Sequence, residues 1–260
     1  MLKAIIFDVD GTLADTERQG HRVAFNRAFA DMGLDWYWDE ALYLALLAVP
    51  GGKERLCHYI ETCHPKMPPR PDPADESRDA FIKRLHRRKT SHYLSLLDEA
   101  SIPLRPGISR LLMEARRNNM RVAIASTSDP VNIKALLQVG PVGCSPFEVI
   151  AGGDIVPHKK PAPDVYQYVL REMRLEAHEC LAIEDSAAGL QAARAAGIPT
   201  LITCTDYTSN QDFSGALLVI NHLGEPDTPT TCLTTPPWPD FRLVDLAALK
   251  RLHGSSGRMS

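Results

Sequence analysis

Short apolar segments rich in Ile and Val recur along the chain and alternate with segments of helical periodicity. The apolar segments are AIIF, VAIA, FEVIA, CLAIE and PTLITC, at residues 4–7, 122–125, 147–151, 180–184 and 199–204. Strands that are apolar on both faces and separated by amphipathic helices are typical of a parallel sheet covered on both sides. The pattern therefore predicts an α/β fold with a doubly wound, Rossmann-like parallel sheet.

The alternation of strands and helices is interrupted after the first apolar segment. Residues 16–95 contain several helical patterns and no convincing strand, and a proline-rich stretch at 65–73 predicts a rigid connector between two helices. We therefore predict an α/β core domain of residues 1–15 and 96–260, with a helical cap domain of residues 16–95 inserted after the first strand. A second proline-rich stretch, 225–240, predicts a surface segment before a short final helix.

Composition and charge indicate which kinds of binding partner the protein is not expected to have. The 260 residues carry a formal net charge of −3, which gives no reason to expect nucleic acid or an anionic membrane as a partner. The basic run at 83–89 lies within a helical pattern and is interpreted as a solvated helix face. No stretch is apolar enough to cross a bilayer, and Asp8 interrupts the opening apolar run too early for a signal peptide. We expect a cytoplasmic protein that binds a small molecule, as a monomer or weak dimer.

The six cysteines match neither a disulfide framework nor a zinc site. They show no CxxC spacing, and the Cys-His pairs at 57–58 and 63–64 fit no common zinc pattern. In the absence of a secretory signal, the cysteines are interpreted as small, mostly buried hydrophobic residues in a reducing compartment.

Chemically reactive side chains accumulate at the ends of four predicted strands. They are carboxylates, hydroxyls and lysines, namely Asp8, Asp10, Ser126, Thr127, Ser128, Asp154, Lys159, Lys160, Glu184 and Asp185. Because ligands of open parallel sheets bind outside the carboxyl ends of the strands, we expect these side chains to meet at one sheet edge.

This set of side chains suits a phosphoryl group held beside a metal ion. Asp8 and Asp10 lie on the same side of an extended strand, and two like charges so close call for a cation. Clustered carboxylates suit Mg²⁺, while lysine and hydroxyl donors suit phosphoryl oxygens. A carboxylate can itself attack phosphorus and form an aspartyl-phosphate. The pair then divides into Asp8 as the nucleophile and Asp10 as the group that protonates the leaving oxygen and later deprotonates water.

Each motif taken alone also has a structural interpretation. Aspartate before glycine is common turn chemistry, so Asp8 and Asp10 could form a turn. The stretches 126–128 and 184–185 could cap the helices that follow them, and Lys160 could be an ordinary surface lysine. The convergence of four motifs at one predicted sheet edge favours the chemical interpretation.

Four motifs in this order resemble those of the haloacid dehalogenase-like phosphohydrolases. They are DVDGT after the first strand, AST after the second, then KKPAPD, then IEDS. The segments AFNRAF, GGKERL and GGDIVPHKKPAPDVY are most similar to the CbbY-like sugar-bisphosphate phosphatases, which are relatives of β-phosphoglucomutase. The resemblance implies a fold with a helical cap and a Mg²⁺-dependent phosphatase of phosphorylated sugars. The implied substrate is xylulose 1,5-bisphosphate, with xylulose 5-phosphate as the product.

The resemblance also implies a role for each matching residue. The implied catalytic residues are the nucleophile Asp8, the acid/base Asp10, the phosphoryl-binding Ser126 and the neutralising Lys160. The implied metal ligands are Asp8, Asp10, Asp185 and, directly or through water, Glu184. The implied contacts to the rest of the substrate are Glu17, Lys53 and Arg55 in the cap, with Thr127, Ser128 and Asn132 at a distal phosphate.

Three other functions stay open on the sequence alone. A phosphosugar mutase of the β-phosphoglucomutase type would return the phosphoryl group to sugar instead of water. A receiver-type signalling module also phosphorylates an aspartate beside Mg²⁺, but it would place that residue after a middle strand and needs no cap. A binding protein without activity is disfavoured because no catalytic position is missing from the motifs.

Overall fold

The computed structural model describes residues 1–66, 77–99, 102–139 and 146–256. The chain divides into two compact units, one of Met1–Asp15 with Pro103–Ser260 and the other of Thr16–Ile102. The strands lie in the first unit, at β1 Ala4–Phe7, β2 Arg121–Ala125, β3 Phe147–Ala151, β4 Cys180–Glu184, β5 Thr200–Thr203 and β6 Leu218–Ile220. They form a parallel sheet in the order β3-β2-β1-β4-β5-β6. The predicted α/β fold with a parallel sheet is confirmed.

The first strand lies in the middle of the sheet. It pairs with β2 on one side, where Phe7 is opposite Ile124, and with β4 on the other, where Phe7 is opposite Ile183. All four residues of β1 are buried, as expected for a strand that is covered by helices on both faces. The chain segments that leave β1, β2 and β4 therefore start side by side at one edge of the sheet.

Helices flank the sheet, and in the described part of the second unit they form all of the regular structure. In chain order they are α1 Arg22–Asp31, α2 Glu40–Leu46, α3 Gly52–Cys63, α4 Arg78–Glu99, α5 Ile108–Arg117, α6 Pro130–Val139, α7 Asp164–Met173, α8 Ala187–Ala195 and α9 Leu246–Ser256. On one face of the sheet, Tyr166 and Val169 of α7 pack with Ala192 and Ala193 of α8 against small side chains of the inner strands. The small residues let these helices approach the sheet closely, and their apolar faces exclude water from it.

The second unit contains the helices α1–α4 and has its own aromatic core. Trp38 is fully buried and its ring lies 4.6 Å from that of Phe25 and 5.0 Å from that of Phe29. Tyr59 of α3 packs edge-on against the same tryptophan at 5.3 Å. Buried aromatic side chains contribute large apolar areas and a further preference for edge-on contacts, so this helical unit has a hydrophobic core independent of the sheet.

The structure differs from the sequence-based expectation in two places. The strand β6 was not predicted, because the apolar run ALLVI at 216–220 that contains it is followed by a proline-rich stretch and not by a helical pattern. The helical unit extends to Ile102, beyond the predicted boundary at residue 95, because α4 runs on to Glu99. Most of the predicted connector at 65–73 lies outside the described residues. Among the helices that the structure describes, none is both long and apolar enough to cross a membrane.

Candidate active site

Reactive side chains from four chain segments meet at the carboxyl edge of the sheet. Asp8 follows β1, Ser126 follows β2, and Glu184 is the last residue of β4, with Asp185 directly after it. Lys160 comes from the loop between β3 and α7. The parallel register of β1, β2 and β4 explains why residues so distant in sequence become neighbours.

The ammonium group of Lys160 donates hydrogen bonds to three other groups of this cluster. Its Nζ donates to Asp8 Oδ1 at 2.7 Å, to the carbonyl oxygen of Ala125 at 2.8 Å and to Glu184 Oε1 at 2.5 Å. The side chain is only 4% exposed, so the three acceptors satisfy the three donors of a buried ammonium. Lys160 therefore fixes the position of the Asp8 carboxylate relative to the end of β2 and to Glu184.

Glu184 is fully buried and holds Lys160 from the other side. Its Oε1 also accepts a hydrogen bond from Tyr166 OH at 2.6 Å, and its Oε2 accepts one from the backbone N–H of Asp185 at 3.3 Å. Gly189 of α8 leaves the space that this carboxylate occupies, because a β-carbon there would lie 2.0 Å from Glu184 Oε2. These partners make Glu184 a buried, fully hydrogen-bonded anchor.

Asp10 is linked to the segment that follows β2. Ser128 Oγ donates a hydrogen bond to Asp10 Oδ2, and the backbone N–H of Ser128 donates to Ser126 Oγ at 3.1 Å. Ser126 is buried and Thr127 beside it is half-buried. The structure thus connects Asp10 to the predicted phosphoryl-binding segment through a serine side chain.

Burial and clustered negative charge shift the proton affinities of the carboxyl groups. Burial raises the pKa of Asp8 from its ordinary value of 3.8 to about 8, Lys160 opposes this rise, and Glu184 and Asp10 add to it. Burial together with the charges of Asp8 and Glu184 also raises the pKa of Asp185 well above its usual range. Burial alone would lower the pKa of Lys160, but the two carboxylates on it raise that pKa instead. Lys160 therefore does not offset the cost of ionising all the carboxyl groups of this cluster.

The donor set of this cluster fits a divalent cation. Asp8, Glu184 and Asp185 each offer a carboxylate oxygen, and these atoms lie within 4.8 Å of one another. Mg²⁺ takes hard oxygen ligands, keeps several waters and would neutralise the excess negative charge. Because Glu184 Oε1 is shared by Lys160 and Tyr166, Asp8 and Asp185 are the side chains better placed for direct ligation.

The residues predicted to contact the rest of the substrate lie partly within one network of the helical unit. Arg55 is 7% exposed, and its guanidinium donates to the carbonyl oxygen of Leu46 at 3.2 Å and to Tyr43 OH at 3.1 Å. Tyr43 OH in turn donates to Glu17, whose carboxylate lies 4.0 Å from Arg55. Lys53 lies in the first turn of α3 and is half-buried. The structure thus joins Glu17 to Arg55 through a tyrosine.

The helices that follow residues 126–128 and 184–185 are capped by other residues. Asp129, and not a serine of 126–128, accepts the backbone N–H of Val131 at the start of α6, at 2.9 Å. Ser186, and not an acidic residue before it, accepts the N–H of Gly189 and caps α8. The surface role considered for Lys160 is excluded because Lys160 is buried, while its neighbour Lys159 pairs with the exposed Asp154 at 3.2 Å. These contacts do not support the cap interpretation for residues 126–128 and 184–185.

Two residues of this region were not identified from the sequence. Tyr166 donates to Glu184, but in the sequence it is one more apolar residue on the buried face of α7. Arg105 lies in the segment leading into α5, and its guanidinium reaches the carbonyl oxygens of Gly11 and Thr203. A single arginine beside Pro106 and Gly107 carries no periodic signal, so only the fold reveals its partners.

This chain is similar in sequence and in fold to several known proteins. The model of the haloacid dehalogenase-like hydrolase family matches residues 2–197. Protein CbbY, plasmid, of Cupriavidus necator is 49% identical over 258 residues, which cover 97% of each chain. The crystal structure of CbbY from Rhodobacter sphaeroides in complex with phosphate is 42% identical with a TM-score of 0.78, covering 85% of this chain and 95% of that one. A mutant of CbbY from the same organism, in complex with xylulose-(1,5)bisphosphate, is 41% identical with the same TM-score, covering 86% and 97%.

Proposed function

Because the chain belongs to the haloacid dehalogenase-like hydrolase family, we propose that this sugar-phosphate phosphatase hydrolyses xylulose 1,5-bisphosphate to xylulose 5-phosphate. The observation that carries the chemistry is the buried contact of Lys160 with Asp8 and Glu184. The substrate is supported by the 41% identity to a CbbY structure in complex with xylulose-(1,5)bisphosphate. Membership of a hydrolase family disfavours the receiver-type signalling module.

The proposed reaction proceeds through an aspartyl-phosphate on Asp8. A carboxylate oxygen of Asp8 attacks phosphorus, and the bond from phosphorus to the sugar oxygen breaks as Asp10 donates a proton to that oxygen. Asp10 then takes a proton from water, and the resulting attack on phosphorus releases phosphate and restores the free carboxylate. Ser128 donates a hydrogen bond to Asp10 Oδ2, which helps to orient the carboxyl group proposed to make this proton transfer.

The neighbouring groups stabilise the charge on the transferring phosphoryl group. Lys160 supplies a fixed ammonium beside Asp8, and Ser126 supplies a hydroxyl from the end of β2. Asp8, the backbone carbonyl of Asp10 and Asp185 would hold Mg²⁺, with Glu184 as an outer partner. Mg²⁺, when bound, would neutralise phosphoryl oxygens and keep Asp8 ionised.

The same proposal assigns the contacts with the rest of the substrate to the residues that the motif resemblance implies. Glu17, Lys53 and Arg55 bind the sugar and its second phosphate, with Thr127, Ser128 and Asn132. Asn132 is only 3% exposed, and its Oδ1 is buried without a hydrogen-bond partner among the residues that the structure describes. A buried acceptor that lacks a partner costs free energy, so a substrate hydroxyl at Asn132 would relieve that cost.

Phosphate release from a panel of substrates tests the proposed specificity. With Mg²⁺ present, kcat/KM is expected to be highest for xylulose 1,5-bisphosphate when compared with ribulose 1,5-bisphosphate, β-glucose 1-phosphate and an aryl phosphate. Lys53→Ala is expected to raise KM for the bisphosphate by about tenfold, with little change for the aryl phosphate, because it removes one charge from the distal phosphate. Equal effects on both substrates contradict the role of Lys53. Isomerisation of β-glucose 1-phosphate without phosphate release favours the mutase instead.

Binding of Mg²⁺ is expected to release protons. The pKa of Asp8 is about 8 when no metal neutralises the cluster, so at about pH 7 the group binds a proton that a metal must displace. Titration calorimetry in two buffers of different ionisation enthalpy is expected to show release of about one proton or more at about pH 7. Because the carboxyl is already ionised at higher pH, this release is expected to fall, and the apparent affinity to rise, as the pH rises above about 8. Proton release that does not change with pH contradicts the assigned ligands.

A further inference from the structure

Arg105 binds three separate parts of the sheet edge with one guanidinium group. Its Nη1 donates to the carbonyl oxygen of Gly11 and to that of Thr203 at 2.6 Å, and it lies 3.3 Å from Thr203 Oγ1. Its Nη2 donates to the carbonyl oxygen of Cys204 at 2.8 Å and to that of Asn221. Arg105 therefore ties the loop after β1 to the ends of β5 and β6.

The loop that Arg105 holds is the one that carries both catalytic aspartates. The backbone N–H of Arg105 also donates to the carbonyl oxygen of Leu13 at 2.8 Å, so the arginine contacts the loop at two points. Gly11, with a φ of +83°, adopts a backbone conformation that side chains disfavour, and its carbonyl turns toward Arg105. The conformation of this loop therefore depends on an arginine outside it.

The same loop lies directly against the proposed metal ligand Asp185. A β-carbon on Gly11 would lie 2.1 Å from Asp185 Oδ2, so the backbone of Gly11 packs directly against this carboxylate. A shift of Gly11 would therefore displace the Asp185 carboxylate and alter the distance between Asp185 and Asp8. Thr203 extends this link, because its Oγ1 lies 3.5 Å from the carbonyl oxygen of Glu184.

We propose that Arg105 is a positioning residue that sets the separation between Asp8 and Asp185, and thereby the affinity for the divalent cation. The inference rests on the proposed function. Lysine at this position keeps the charge but has one ammonium in place of a planar group with five donors, so it cannot reach Gly11, Thr203 and Asn221 together. Residues that orient metal ligands through hydrogen bonds typically account for about 10–100-fold in affinity or activity.

Arg110 offers a matched control in the same segment of the chain. It is also part-buried and donates to backbone carbonyls, those of Gly224 at 2.6 Å and Val244 at 3.1 Å, and it pairs with Glu225 at 3.2 Å. None of these partners carries a proposed catalytic role. Arg110→Lys is therefore expected to lower stability without changing the affinity for Mg²⁺ or the turnover number.

The experiment compares Arg105→Lys with Arg110→Lys and the wild type. The dissociation constant for Mg²⁺ is measured by calorimetry, kcat with saturating Mg²⁺ and an aryl phosphate, and the melting temperature without metal. Arg105→Lys is expected to weaken Mg²⁺ binding by about tenfold or more and to lower kcat, whereas Arg110→Lys changes only the melting temperature. Equal Mg²⁺ affinities and equal kcat values in the two variants overturn the inference.

A second variant covers the case in which Arg105→Lys does not fold. Thr203→Val removes one acceptor of the guanidinium at nearly constant volume and is expected to weaken Mg²⁺ binding in the same direction by a smaller factor. Wild-type affinity in this variant contradicts the inference. A wild type that neither binds Mg²⁺ nor releases phosphate refutes the proposed function instead, so the two failures are distinguishable.

Discussion

Replacing Asp8 with asparagine is expected to lower turnover by about 10⁴-fold or more, because an amide cannot attack phosphorus. The change is nearly isosteric and keeps an acceptor for Lys160. Phosphate release under single-turnover conditions measures the loss. Asp227→Asn, which alters an exposed carboxylate of the same unit, serves as the control and is expected to match the wild type.

The stability of Asp8→Asn separates loss of chemistry from loss of fold. In the metal-free protein the pKa of Asp8 is raised to about 8, so burial opposes its ionised form. The wild type therefore loses stability as the pH rises from the ordinary carboxyl pKa of 3.8 through about 8, and the asparagine variant avoids this loss. Asp8→Asn is expected to melt at or above the wild-type temperature at about pH 8 without metal. Substantial turnover by a folded Asp8→Asn variant contradicts the assigned nucleophile.

Replacing Lys160 with methionine is expected to damage both turnover and stability. The change leaves Glu184 fully buried without its cationic partner, and removal of one member of a buried ion pair costs about 3–5 kcal/mol. Loss of the ammonium beside the phosphoryl group is expected to lower kcat by about 10²–10³-fold. Denaturant unfolding and phosphate release measure the two effects.

Two further variants show whether these effects come from the buried contacts of Lys160. Lys159→Met removes the pair with the exposed Asp154, which is worth less than about 1 kcal/mol, and is expected to keep normal turnover. Adding Glu184→Gln to Lys160→Met removes the uncompensated charge and is expected to restore stability but not turnover. Equal losses in the two lysine variants, or recovery of turnover in the double variant, contradict the account.

The sequence identified the sheet well because its signal is local and repeated. Each long apolar strand is flanked by helical periodicity, and a buried parallel strand is apolar on both faces. The strand β6 lies in the apolar run ALLVI at 216–220, but a proline-rich stretch follows it in place of a helical pattern, and its pairing with β5 identifies it. The boundary after α4 was placed too early because helical periodicity gives no sign of where one unit ends and the next begins.

The site was predictable where it depends on strand ends and unpredictable where it depends on packing. Asp8, Lys160 and Glu184 could be expected to meet because their segments end or begin at one edge of a parallel sheet. The hydrogen bonds of Tyr166 and Arg105 depend on which distant segments pack against their side chains in the folded protein, and the local sequence does not show this. Likewise, the link from Glu17 through Tyr43 to Arg55 joins three separate segments, and no spacing in the sequence predicts it.

The most direct test of the account is the mass of the Asp8 peptide during turnover. We would mix Asp10→Ala with an aryl phosphate in the presence of Mg²⁺, quench with acid, digest with an acid protease and measure peptide masses. An aryl leaving group needs no proton, whereas water does need a base, so this variant is expected to accumulate the intermediate. The added mass of one phosphoryl group is expected at Asp8. Continued phosphate release with an unmodified Asp8 peptide, or with the phosphoryl group on another residue, would contradict it.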